Sequence, residues 1–153
     1  MKCKTVFKKG VINVQRATNL YNTLIYDIEW EEGIRSKSGF TRMAKPLGYG
    51  QIPEIDSIIN VALSSLTDTQ YRIEGIYLNY YENGSSWTPS HTHKGTHQLV
   101  VSLGATRTLQ INKNNFVMEN GDAIIFGSSA HGIHKDPTVT EGRISIATFM
   151  VPV

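Results

Sequence analysis

The sequence predicts a mainly β fold with helices at its N-terminal end, an α+β chain whose strands roll into a barrel. Three observations carry that expectation. Apolar residues repeat at helical spacing only in the front part of the chain, before residue 67. Beyond Gln70, short apolar or alternating runs are separated by turn formers such as Asn112 to Asn115 and Glu119-Asn120-Gly121-Asp122. Among those runs stands His91-Thr92-His93, with His131 just past the apolar run Ala123-Ile124-Ile125-Phe126.

The elements follow in order. A first helix is expected over about 17 to 31, where Leu20, Tyr21, Leu24, Ile25 and Ile28 form one stripe and Thr18 or Asn19 serves as cap. A second is expected over 53 to 66. Pro53 suits a first helical position, and Ile55, Ile58, Ile59, Ala62 and Leu66 share a face that packs on a sheet. Between them, residues 36 to 51 are rich in Gly, Ser and basic side chains, the composition of a hinged lid beside a site. Strands are expected at about 71–81, 97–103, 106–111, 115–118, 123–126 and 143–151. In the first, side-chain alternation puts Tyr71, Ile73, Gly75, Tyr77, Asn79 and Tyr81 on one face.

At 153 residues the chain is expected to be one domain, with residues 1–69 as a helical front piece and 70–153 as the core. A hydrophobic share of 40% and a charged share of 18% exclude a disordered chain. The basic start is followed by no long apolar run, so neither a secretory signal nor a membrane span is expected. Cys3 is the lone cysteine, which points with that start to a cytoplasmic protein. Net charge is +2, but residues 1–46 carry +5 and the remainder −3. A basic front half of this kind suits either contact with phosphates or an ordinary solvated surface.

The histidines carry the chemistry. Residues two apart on a strand point the same way, so an H-x-H pair can aim two imidazoles at one ion, and His131 can close a three-ligand face with open positions for reaction. A three-histidine face suits iron, zinc, copper or nickel. Downstream, Arg143 offers the planar fork that matches a carboxylate. Asn79 and Tyr81 share a strand face by their spacing.

These residues fall in an ordered set that resembles the AlkB-like branch of the iron(II)- and 2-oxoglutarate-dependent dioxygenases. The family pattern N-x-Y-x-x-G, H-x-D, a strand ending S-[LF]-G, a later H and R-x-[NS]-x-[ST]-F is met at Asn79, Tyr81, Gly84, His91, Ser102-Leu103-Gly104, His131 and Arg143-Ile144-Ser145. The resemblance covers roughly residues 70 to 150, and Ser102-Leu103-Gly104-Ala105-Thr106-Arg107-Thr108 is especially close to the same strand of eukaryotic members. It implies a double-stranded β-helix, or jelly roll, with Fe(II) held by His91, His93 and His131. It also implies 2-oxoglutarate as cosubstrate, bound by Asn79, Tyr81, Arg143 and Ser145, with O2 as oxidant. The reaction implied is oxidative dealkylation or hydroxylation of a nucleobase or related substrate, so the partner would be a nucleic acid or nucleotide. Arg42 and Tyr49 resemble lid positions. Tyr77, Trp87, His97 and Arg107 are further substrate candidates, with Trp87 and His97 as rings for a base to stack on.

The sequence departs from the pattern twice. His93 stands where the family has aspartate, which raises the charge of the site by one unit and favours the dianionic cosubstrate while removing an anionic donor. Phe149 stands where many members have a second arginine. The cupin pattern is met in part by Gly84, His91, His93, His97, Gly104, Gly121 and His131. It implies the same barrel as a three-histidine metal protein, either a 2-oxoglutarate-independent dioxygenase or a binding module without turnover.

Overall fold

The computed structural model describes residues 3–33, 35–36 and 39–153. Lys2 and Lys37, counted in the basic front half, and Ser38 in the expected lid lie outside them. In chain order the elements are β1 (Val6–Lys8), α1 (Val14–Asp27), β2 (Glu31–Glu32), β3 (Arg35–Ser36), β4 (Gly39–Phe40), β5 (Met43–Leu47), α2 (Pro53–Leu66) and β6 (Tyr71–Tyr81). They continue as β7 (Thr88–His91), β8 (His97–Gly104), β9 (Arg107–Ile111), β10 (Asn114–Met118), β11 (Ala123–Phe126), β12 (His131–Ile133) and β13 (Arg143–Pro152).

Two antiparallel sheets make the barrel. The larger has seven strands in the order β1-β11-β8-β13-β6-β5-β2, the smaller four in the order β10-β9-β12-β7, and β3 and β4 form a separate short hairpin. This is the double-stranded β-helix, or jelly roll. The larger sheet is covered on both faces, so its central strands read as continuous apolar runs. On β8 and β13, Leu99, Val101, Leu103, Ile144, Ile146 and Met150 face the helices, where they meet Ala17, Leu20 and Leu24 of α1 and Ile55, Ile58, Ile59 and Ala62 of α2. The alternate residues face the smaller sheet, where Val100, Leu109, Ile111, Ile124, Phe126, Ile133 and Ala147 form a second apolar cluster around the interior.

Three sequence expectations change. The first helix begins at Val14, with the side chain of Asn13 accepting from the backbone N–H groups of Gln15 and Arg16. Its first residues, Val14-Gln15-Arg16, lie ahead of the apolar stripe, with Val14 exposed, so periodicity alone starts it late. The expected lid is in part a sheet strand: β5 pairs with β6, Met43 opposite Tyr80 and Ala44 opposite Asn79. On β6 the alternation is broken, because Phe149 pairs with Gly75 and Met150 with Ile73. Glu74 is thereby an extra residue, and such a bulge flips parity. Tyr77, Asn79 and Tyr81 face the interior, while Tyr71 and Ile73 pack on the helix side.

Two motif glycines are fixed by close backbone approach. A Cβ on Gly84 would lie 1.6 Å from the carbonyl oxygen of Asp136. Gly104 adopts φ +86°, and a Cβ there would lie 2.6 Å from the carbonyl oxygen of Gly142. Among the described residues, no helix is long and apolar enough to cross a membrane.

Candidate metal centre and its cavity

β12 runs antiparallel between β7 and β9, and this places His131 directly opposite His91. His93 follows two residues beyond the end of β7. The ligand atoms of the three imidazoles all lie within 4.8 Å of one another. His91 Nδ1 donates to the carbonyl of Pro89 at 2.8 Å, and His131 Nδ1 donates to that of Ser129 at 2.9 Å. A carbonyl only accepts, so both rings carry the proton on Nδ1 and turn a bare Nε2 toward a common point. Phe126 stands edge-on to His131 and Phe149 edge-on to His93, ring centroids 4.8 and 4.9 Å apart. Burial pushes His131 down to about 4, with charge on His91, His93 and Arg42 adding to it and the Ser129 carbonyl opposing it. Burial also lowers His93, helped by His91 and Arg42. Neutral imidazoles with free lone pairs are what a metal requires.

The histidines line a cavity of about 210 Å³ between the two sheets. Arg143 opens into it from β13 and is only 1% exposed. Its Nε donates to Ser102 Oγ at 2.8 Å and its fork lies 5.2 Å from the centre of the Tyr81 ring, but Nη1 and Nη2 are buried with no partner. Burial brings its pKa down to about 10, with the Arg107 charge acting in the same direction and Tyr81 against it. A buried cation with two bare donors is costly unless an anion completes it. Gln98 Nε2, on the same wall, is likewise buried and unpartnered. No carboxylate side chain lines the cavity among the described residues.

Asn79 lies between two neighbours. Its Oδ1 accepts from Arg42 Nε at 2.9 Å and its Nδ2 donates to Ser145 Oγ at 3.3 Å. Tyr81 shares a 2.7 Å hydroxyl bond with Thr88 Oγ1. Asn79, Tyr81, Arg143, Ser145, Arg42 and Tyr77 thus share one cavity with the three histidines.

Four expected substrate residues lie elsewhere. His97 faces the helix side of β8, where Nδ1 bonds the Tyr71 hydroxyl at 2.7 Å, because odd residues of that strand point away from the cavity. Tyr49, two residues past the end of β5, bonds Asn60 of α2 and does not line the cavity. Arg107 is buried as a clamp, its Nη2 donating to the carbonyls of Ser86 and His134 at 2.8 Å each and Nη1 to that of Asn83. Trp87 sits in the loop before β7 under the Lys135 ammonium, 5.4 Å from its ring centre, and does not line the cavity. Of the basic front half, Lys9 pairs with Glu119 and Asp122, Arg16 with Glu54, and Lys45 with Glu31. Thr88, Gln98, Ser102 and Phe149 escaped the sequence reading as site residues. Gln98 and Ser102 were findable as the polar members of an apolar strand, whereas Thr88 lies on a strand that carries no periodic signal.

No protein-family model matches the chain, and no curated protein matches it. Solved structures do. The non-heme α-ketoglutarate-dependent epimerase SnoN from nogalamycin biosynthesis superposes with a TM-score of 0.73 at 13% identity, over 96% of this chain and 78% of that one. A Pseudomonas putida prolyl-4-hydroxylase gives 0.65 at 13% identity, over 96% and 91%. An oxidoreductase of the 2OG-Fe(II) oxygenase family from Burkholderia pseudomallei gives 0.65 at 14% identity, over 96% and 84%. The chain therefore has the double-stranded β-helix fold of the iron(II)- and 2-oxoglutarate-dependent oxygenases, built around a three-histidine site.

Proposed function

We propose that the chain is an AlkB-like iron(II)- and 2-oxoglutarate-dependent oxygenase that hydroxylates a C–H bond of a nucleobase-like substrate, with dealkylation where that carbon is attached to nitrogen. His91, His93 and His131 hold the metal, and Arg143 with Ser145, Tyr81 and Asn79 holds 2-oxoglutarate. The observation that carries this reading is the bare, buried fork of Arg143 in the cavity of the three imidazoles. A dicarboxylate needs a charged anchor at one end and a metal at the other.

The donor set fits the ion. Two imidazoles are locked in the tautomer that frees Nε2, and the third is held edge-on by Phe149. When bound, the iron lets O2 and 2-oxoglutarate give CO2 and succinate, one oxygen atom entering succinate and the other the C–H bond of the substrate. The chain's own residues supply geometry. Arg143 anchors the far carboxylate, its Nε held by Ser102 and its face by the Tyr81 ring. Val100, Leu109 and Ile133 line the cavity with apolar side chains that keep water out. Three neutral ligands leave the ion its full charge, which strengthens its hold on an anionic cosubstrate.

The test is product analysis with Fe(II), 2-oxoglutarate and O2 in the presence of an N-methylated mononucleotide. The reading expects succinate and formaldehyde in equal amounts, both absent from His131→Ala. Succinate without formaldehyde moves the target to another substrate. Neither product from protein with iron bound overturns the reading.

A further inference from the structure

We infer that the substrate of this site is an acid and that Arg42 binds its anionic group. The inference rests on the oxygenase reading for the place of 2-oxoglutarate. The cavity wall carries two guanidinium groups, Arg42 and Arg143, and three imidazoles, with no carboxylate among the described residues. A divalent ion on three neutral imidazoles keeps both its charges. With the two arginines this makes four positive charges, and a dianionic cosubstrate cancels two. No side chain of the wall is available to cancel the rest. Uncancelled positive charge in a half-enclosed cavity selects for a second anion.

The two arginines divide the work by depth. Arg143 is fully buried and its Nε is held by Ser102, which suits a cosubstrate that enters first. Arg42 is half-buried, just before β5. Its Nε is fixed on Asn79 and its Nη1 donates to Thr41 Oγ1 at 3.0 Å, so its fork is preorganised while Nη2 makes no bond among the described residues. No acidic side chain pairs with it there either. Asn79 ties it to Ser145, two residues from Arg143 on β13, so both guanidiniums lie on one wall of the cavity. On the same wall Tyr77 is 43% exposed and stands edge-on to Phe149 at 6.3 Å, an apolar lip for the body of such an acid. The anionic group is a carboxylate or a phosphate.

The experiment measures binding rather than turnover. Benzoate with benzamide, and phenyl phosphate with phenol, are titrated by ligand-observed NMR into Zn(II)-loaded protein saturated with 2-oxoglutarate. The expected result is at least about tenfold tighter binding of the acid in one or both pairs, and the pair that shows it distinguishes carboxylate from phosphate. Arg42→Gln reduces that preference to under threefold, Arg42→Lys retains most of it, and 2-oxoglutarate affinity changes less than threefold in either. Equal binding of acids and neutral partners overturns the inference, as does a preference that survives Arg42→Gln. A loss of 2-oxoglutarate affinity in Arg42→Gln also overturns it, because Arg42 then serves the cosubstrate. If Arg42→Gln does not fold, wild-type protein decides, its preference collapsing between 0.05 and about 0.5 M salt or not. If 2-oxoglutarate fails to bind wild type, the oxygenase reading falls, and the same pairs run without it decide this inference separately.

Discussion

His91 and His131 are directly opposed residues of two antiparallel strands, their ring centroids 4.3 Å apart, and each donates Nδ1–H to the carbonyl two residues before it. Strand pairing sets the distance between the rings and the carbonyls set their tautomer, so two ligand positions are fixed by backbone alone. Only His93, beyond the strand end, depends on side-chain packing for its aim.

Removing an opposed ligand therefore disables the site and spares the fold. His131→Ala should lower affinity for Co(II) by more than the roughly 10- to 100-fold that follows loss of an outer partner. The absorption of the cobalt complex reads this directly, and an unchanged circular dichroism spectrum shows that β12 still pairs.

Arg143 sets stability against binding. Replacing a buried, half-satisfied charge by an apolar side chain of similar length is often neutral or stabilising by about 1–4 kcal/mol. Arg143→Met should keep or raise the melting temperature of the metal-free protein and abolish 2-oxoglutarate binding by calorimetry. Arg143→Lys, which has no fork, should weaken that binding by roughly 10- to 100-fold, about 1.4–2.8 kcal/mol. A melting temperature that falls sharply in Arg143→Met would show that the guanidinium is satisfied within the protein.

Protonation of His131 makes the metal-free protein acid-sensitive. Burial holds the native ring near 4, while in the unfolded chain it titrates near 6.5. Between those values the unfolded state takes up a proton that the native state refuses, so stability falls as pH drops from about 6.5 to about 4 and levels off below. His93 is lowered too and acts in the same direction. The His131 share is at most about 3 kcal/mol. Urea denaturation in chelator across this window should show the slope, and His131→Gln should reduce it.

Gly84 has no room for a side chain. Its N–H donates to the Val139 carbonyl and its own carbonyl accepts from Asp136 N–H, each at 2.8 Å, with the Asp136 oxygen where a Cβ would go. Gly84→Ala should cost at least about 3 kcal/mol, near the top of ordinary over-packing penalties. In a chain of this size that lowers the melting temperature by roughly 6–12 °C.

Much of this was legible in the residues. α2 spans Pro53–Leu66 and β6 spans Tyr71–Tyr81, as their periodicities predict, and the three histidines converge as expected, although His93 does so from beyond the end of β7 and not from its face. What escaped was whatever depends on partners distant in sequence. β1, β5, β7 and β12 are short strands without an alternating pattern, defined only by the strands beside them. The bulge at Glu74 is invisible until β13 is laid alongside β6, and it turned Tyr71 and Ile73 away from the cavity. Phe149 reads as an absent arginine in the sequence. In the fold it is an aromatic wall between His93 and Tyr77, while the second cavity arginine comes from the front of the chain, at Arg42.

The most direct test of a three-imidazole centre facing the Arg143 fork is an anaerobic titration of Fe(II)-loaded protein with 2-oxoglutarate, followed by visible absorption. A metal-to-ligand charge-transfer band should grow to saturation in wild type, require far more 2-oxoglutarate in Arg143→Lys and be absent from His131→Ala. Tight metal binding with no band at any 2-oxoglutarate concentration would contradict it.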